Sequence, residues 1–242
     1  MAKFKVAIDT GHGSNTAGKR TPDGYREHYI NVMVGYYCEQ YLERRGVDVF
    51  RCAWDDTNAK DDEDVALAKR QQLIKAAKCD VAVSTHANAH GDGKKYTTAE
   101  GVETFVHSSA SLRGDSMDLA KAIQKQIVKG TEQKDRGVKT MELAMCNCTA
   151  MGVKAAALVE IGFMTNKREA ELMKTDAFCK EQGEDIARGI LAYLGVKDEE
   201  PKKAATGKLY RVQVGAYSVK ANAENMKKKL NAAGFEAIIV EV

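Results

Sequence analysis

Short apolar runs alternate with helically spaced apolar stripes over the first 195 residues, and this alternation confines the chain to a layered α/β fold. Residues 4–8 read as a buried strand that breaks at Gly11-His12-Gly13. Ile30, Met33, Val34, Tyr37 and Tyr41 then recur at helical spacing, and Gly46 closes that helix. Strands are predicted at 47–52, 81–84, 102–106 and 155–159, and helices at 66–77 and 178–194. A further helical stripe, Leu119, Ile123 and Ile127, stops at Gly130. The expectation is a mostly parallel twisted sheet with helices on both faces.

Beyond residue 195 the pattern changes. Residues 196–207 are polar and charged, contain a proline and lack periodicity, as a linker does. In the remaining 35 residues, 210–216 and 237–242 read as strands, and Ala223, Met226 and Leu230 share one helix face. A βαβ element this small lies below the roughly 40 residues that fold unaided. It is therefore expected to lean on a partner, and pairing of two such tails into a homodimer would remove an exposed strand edge. The predicted organisation is a catalytic domain at 1–195, a linker at 196–207 and a half-domain at 208–242.

The whole chain has 37 basic and 34 acidic residues, a net charge of +3, and the basic residues are scattered. That balance excludes nucleic acid as the expected partner. No apolar run approaches the roughly 18 residues of a membrane span, so no membrane partner is expected. The first residues run directly into a strand without the apolar core of a signal peptide, which predicts synthesis in the cytoplasm. The six cysteines, at 38, 52, 79, 146, 148 and 179, are spread through a chain that needs no staples. They are expected to be free thiols of a reducing compartment.

Ligands of parallel sheets sit beyond the carboxyl ends of the strands. His12, His86 and Glu160 each end a predicted strand, and Glu27 lies where the first long helix begins. Two imidazoles and a carboxylate form the donor set of a catalytic zinc site, and a second carboxylate would supply its general base. Spacing alone leaves open the reading of solvated or hydrogen-bonded loop residues. His28 follows Glu27 directly and on a helix projects elsewhere, which suits a surface or supporting place. His90 reads as an exposed loop residue, and Asn88 and Asn166 as residues that fix loops. His107 ends a strand, either near the site or in solvent. Met- and Cys-rich residues 141–151 read as core filling or an adaptable cleft wall.

Six motifs in order make the chain recognisable. They are Ile8-Asp9-Thr10-Gly11-His12-Gly13, Gly24-Tyr25-Arg26-Glu27, Ser84-Thr85-His86-Ala87-Asn88-Ala89, Gly101-Val102-Glu103-Thr104-Phe105, Asp135-Arg136-Gly137-Val138-Lys139, and the run from Leu158 through Glu160 to Asn166. Over about residues 3–195 the chain resembles the zinc-dependent N-acetylmuramoyl-L-alanine amidases of bacterial peptidoglycan. Thr10 departs from the proline of many relatives, which alters a turn and removes no ligand. The resemblance implies that His12, Glu27 and His86 hold Zn2+ and that Glu160 is the catalytic carboxylate. Arg136, Asn88 and His107 are the substrate-binding candidates, Arg136 either as a partner for an acidic stem peptide or as half of a surface ion pair. The resemblance also implies peptidoglycan as the partner and hydrolysis of the amide between N-acetylmuramic acid and L-alanine. With no export signal in its first residues, an endolysin or lytic wall amidase acting after release is expected, with a housekeeping enzyme exported by another route as the alternative. A zinc peptidase cutting within the stem peptide is the rival enzyme, and a wall-binding module without catalysis the rival of another class. The tail, from Tyr210-Arg211-Val212-Gln213-Val214-Gly215-Ala216-Tyr217, is similar to the first half of a SPOR domain, a peptidoglycan-binding module.

Overall fold

A computed structural model describes residues 4–199, 213–232, 235 and 237–240. The chain divides into two compact units, residues 1–201 and 202–242. In the first, six strands form one sheet: β1 Lys5–Thr10, β2 Asp48–Cys52, β3 Val81–Asn88, β4 Val102–His107, β5 Asp135–Met141 and β6 Ala155–Phe163. Their order across the sheet is β2-β1-β3-β6-β4-β5. β2, β1, β3 and β6 run parallel, whereas β4 pairs antiparallel with β6 and carries β5 parallel to itself. That reversal brings the beginning of β4 beside the end of β6.

The pleat sorts side chains between two layers. Val6, Ile8, Val83, Ala157 and Val159 face α1 Glu27–Glu43, α4 Ser116–Gly130 and α7 Asp176–Leu194, and with Ile30, Val34, Leu119, Ile123, Ile186 and Ile190 they form the main core. Gly189 lets α7 approach α4, because a Cβ there would lie 2.4 Å from the Ile123 Cα. The intervening residues Ala7, Ala82 and Ala156 face α2 Leu67–Ala76 and the short α5 Cys148–Met151 in a smaller cluster with Ile74, Met145 and Met151. A one-turn α3 Ala110–Arg113 follows β4, and α6 Lys167–Met173 follows β6. Within 141–151, Met145 and Met151 are core residues while Met141 is 48% exposed. All six cysteines are buried free thiols.

Two strands outrun their sequence signal. β3 and β6 continue to Asn88 and Phe163, past the predicted ends at 84 and 159. The apolar pattern stops at Thr85, His86 and Glu160, but the backbone ladder pairs Thr85 with Val159 and His86 with Glu160. β5 carries no strand prediction because it is a half-exposed edge strand. In the second unit the described residues contain one helix, α8 Lys220–Ala232, where the spacing of Ala223, Met226 and Leu230 places it. Residues 213–217 and 237–240 have no strand assignment. Residues 200–207 of the expected linker, with 210–212 and 241–242 of the expected strands, lie outside the described residues.

A buried carboxylate closes the end of the sheet nearest the site described below. Glu169 of α6 is fully buried and accepts hydrogen bonds from the Gly101 backbone at 2.8 Å, the Phe163 backbone at 2.7 Å and the Gln133 amide at 2.8 Å. It thus ties the start of β4 to the end of β6. Glu169→Ala orphans three buried donors, each costing about 1–3 kcal/mol. A stability loss on the order of 4 kcal/mol is expected in urea denaturation followed by Trp54 fluorescence, set by those orphaned donors. A change below about 1 kcal/mol would show that the donors find other partners.

Candidate metal centre

The alternation that fills the smaller cluster with Ala7, Ala82 and Ala156 turns polar toward one end of the sheet. On that same face, by the two-residue period, stand Asp9 of β1, Ser84 and His86 of β3, Glu160 of β6 and Glu103 of β4. Register places His86 opposite Glu160, and Glu160 opposite Glu103. Three adjacent strands therefore present an imidazole and two carboxylates in a row.

His12 and Glu27 join this row from outside the sheet. Glu27 begins α1 and is 1% exposed. Its Oε2 lies 3.2 Å from His12 Nε2 and its Oε1 lies 3.1 Å from His86 Nδ1. The Ala87 backbone N–H donates to the same Oε1 at 3.1 Å. The two imidazoles meet edge to face, with ring centroids 4.9 Å apart. One nitrogen or oxygen from each of His12, Glu27 and His86 lies within 4.8 Å of the others. Burial by itself would raise the Glu27 carboxyl, but the two histidines outweigh it and hold Glu27 well below the usual carboxylate range. The imidazole of His86 loses some basicity to burial and regains more from Glu27, with a net rise. Two nitrogens and one oxygen converging on one point are a donor set that fits zinc.

His12 reaches this point because its backbone is left-handed, with φ +65°. That conformation costs a non-glycine residue about 1–2 kcal/mol and needs support from its surroundings. Arg70 of α2 supplies it. Its buried guanidinium donates to the carbonyls of Thr10 and His12, both at 2.6 Å, and to Val65 at 2.7 Å. It also pairs with Asp9 at 2.9 Å and Asp64 at 3.0 Å. From the other side, His28 and Asn31 of α1 contact the Gly11 carbonyl at 3.0 and 3.1 Å. His28 is fully buried, and its second nitrogen lies 2.8 Å from Asp62, so it has the supporting place and not the surface one. Residue 11 must be glycine: a Cβ there would lie 2.2 Å from the His86 ring. Neither Arg70 nor Asp62 carries a local motif; their function appears only when residues 62–70 fold over the 11–16 loop.

Glu160 stands beside the cluster without joining it. Its Oε2 is buried and has no hydrogen-bond partner among the described residues. Burial, reinforced by the negative charges of Glu27 and Glu103 and opposed by His86, pushes its carboxyl up to about 8. The three substrate-binding candidates fare differently. Asn88 donates to Glu103 at 2.6 Å, and Arg136 pairs with Glu103 at 2.7 Å, so both lie next to the row. His107 ends β4, which runs opposite to β6, so it lies at the far end of the sheet, buried and accepting from the Ser109 backbone at 3.0 Å. A place near the site would need β4 to run with β6, and a solvated place would need exposure; the β4 reversal and the burial of His107 give neither. Asn166 caps α6 by accepting from the Arg168 and Glu169 backbone. His90 is exposed.

The Glu160 proton has a measurable consequence for the metal-free protein. Its folded-state value of about 8 exceeds the ordinary 4.5, so the folded state holds the proton more tightly than the unfolded one. The stabilisation is present below pH 4.5 and is lost as pH rises toward 8. Glu160→Gln removes this dependence. In chelator-treated protein the Tm of the variant is therefore expected to gain on that of the native chain between pH 5 and pH 8, read by scanning fluorimetry. A constant difference would show that Glu160 does not titrate there.

Comparison with known proteins converges on one family. The N-acetylmuramoyl-L-alanine amidase family model matches residues 6–192, and the SPOR domain model matches residues 187–242. The amidase CwlM of Bacillus licheniformis is 28% identical over 238 residues, 98% of this chain and 84% of the relative. The endolysin of Bacillus phage SPP1 is 33% identical over 207 residues, 84% of this chain and 72% of the relative. The crystal structure of N-acetylmuramoyl-L-alanine amidase from Clostridium difficile 630 superimposes with a TM-score of 0.67 at 27% identity, over 81% of this chain and 100% of that one. With a sheet of that fold and matches across most of its length, this chain belongs to the N-acetylmuramoyl-L-alanine amidase family and is a cell-wall amidase acting on peptidoglycan.

Proposed function

We propose that the chain hydrolyses the amide between N-acetylmuramic acid and L-alanine with a zinc ion held by His12, Glu27 and His86, and with Glu160 as general base. The observation that carries this reading is the convergence of the three donor atoms within 4.8 Å beside a carboxylate whose Oε2 has no partner among the described residues. When bound, the ion supplies a Lewis acid for the amide carbonyl and makes water acidic enough to react near neutral pH. Glu160 then has the task of taking a proton from water and delivering it to the departing amine of L-alanine. It keeps its own proton below about pH 8 without the ion, so it needs positive charge in the His12–Glu27–His86 cluster to act as a base. Arg70 and His28 hold the His12 loop so that the donor set exists before substrate arrives.

The family match favours the muramoyl amide over a cut within the stem peptide, and a complete donor set argues against a binding module without catalysis. Likeness to a phage endolysin supports a lytic enzyme that acts on the wall after release. The SPOR match over residues 187–242 supports a second, wall-binding contact from the C-terminal unit.

Mass spectrometry of digested peptidoglycan is expected to show free stem peptides with an N-terminal L-alanine; cuts inside the peptide would reject the reading. His86→Ala is expected to lose tightly held zinc in elemental analysis, because three-ligand sites depend on full ligand count. Zinc content equal to that of the native chain would remove His86 from the set. Glu160→Gln is expected to keep its zinc and lose roughly 10²-fold or more in kcat, the usual contribution of a positioned acid–base group. Retained turnover would place the base elsewhere.

A further inference from the structure

The polar row does not end at Glu103. β5 lies beyond β4 at the sheet edge, and its bulge between the pairs Val102–Asp135 and Thr104–Val138 sets Arg136 beside Glu103. Lys139, opposite Phe105, stands on the same face. Glu103 is 3% exposed and fully engaged: Oε1 accepts from Asn88 at 2.6 Å, and Oε2 accepts from Arg136 at 2.7 Å and from Lys139. One carboxylate thus faces two cations and leaves a net positive charge. The Arg136 guanidinium lies over the Phe163 ring, its Cζ 4.8 Å from the ring centroid. Its Nη2 has no hydrogen-bond partner among the described residues, and the Arg136 and Lys139 side chains are 29% and 39% exposed. Two strand spacings put this pair about 10 Å from Glu160 along the sheet.

The opposite flank carries the opposite charge. The segment after β2, at the other edge of the sheet, contains Asp55, Asp56, Asp61, Asp62, Glu63 and Asp64. Asp62 and Asp64 anchor it beside the His12 loop through His28, Thr16 and Arg70. An anionic group approaching the site is therefore repelled on the β2 side and attracted on the β5 side.

We propose that Arg136 and Lys139 form a carboxylate-binding subsite that receives the peptide portion of the substrate, so that the stem peptide runs over β4 and β5 and the glycan leaves toward β1 and β2. The inference rests on the amidase reading above, since the peptide side of the scissile amide carries the carboxylates while the sugar side offers hydroxyl and acetamido groups. Glu103 holds both cations in place, and its burial keeps it from competing for solvent contact with the ligand. The exposed Arg136 edge and Lys139 ammonium are then the groups that meet the substrate.

The test uses the full chain and a soluble muramoyl tripeptide in two forms, with free carboxylates and with carboxamides. Lys139→Met leaves Glu103 paired with Arg136 and Asn88, and an unchanged Tm verifies that the fold persists. Calorimetric binding to the zinc-loaded Glu160→Gln protein is expected to favour the free acid about tenfold, and adding Lys139→Met is expected to remove most of that preference. In turnover by the chain with Glu160 intact, Lys139→Met is expected to raise KM for the free acid and leave kcat within about twofold. Equal binding of the two forms, or a preference that survives Lys139→Met, overturns the subsite. Preferential binding without cleavage of the muramoyl amide would keep the subsite and reject the amidase reading instead.

Discussion

The buried pairing of Arg70 with Asp9 is the contact on which the site depends. A guanidinium taken out of water is tolerated only when its donors are met. Here they are met by carboxylates at positions 9 and 64 and by the carbonyls of Thr10, His12 and Val65. Those carbonyls belong to the strand end and loop that leave the sheet, where the backbone turns left-handed to aim His12 inward. Asp9 in turn accepts from Ser84 on the neighbouring strand. The requirement that one buried cation be satisfied thus fixes β1, α2 and the His12 loop relative to β3, which carries His86.

A second constraint is the pleat. One face of each strand must be apolar to bury the sheet against α1, α4 and α7, and the other is covered by α2 and α5 over the cluster of Ala7, Ala82 and Ala156. Toward the end of that second face the side chains become His86, Glu160 and Glu103. Packing and chemistry share the same strands by alternation. The antiparallel β4 extends the row because it begins where the parallel strands end.

The long elements were legible because burial imposes periodicity: α1 and α7 and the apolar halves of β1, β3, β4 and β6 follow it. The ends of β3 and β6 were not, since there the backbone pairs while the side chains serve the site. β5 has no apolar signal because an edge strand buries little, and only Val138 of it packs against the main core. His12, Glu27 and His86 stood out by residue type at strand and helix ends, and family resemblance gave them roles. Nothing in the sequence places His107 at the far end of the sheet, because residue type carries no information about strand direction. Arg70 was invisible as a site residue, for a lone arginine in a helical segment reads as surface until its partners are known.

From sequence alone came the layered α/β class, the two-part organisation, the family and the histidine and glutamate donors of a candidate metal site, because hydrophobic period and short motifs are local properties of the chain. Convergence of residues 12, 27 and 86 on one point, the burial that pushes the Glu160 carboxyl up, and the Glu103–Arg136–Lys139 group at the sheet edge were decided by tertiary structure. Each depends on strand order, strand direction and the exclusion of water. Those are relations between segments distant in sequence, and they are fixed only when the sheet closes around its core.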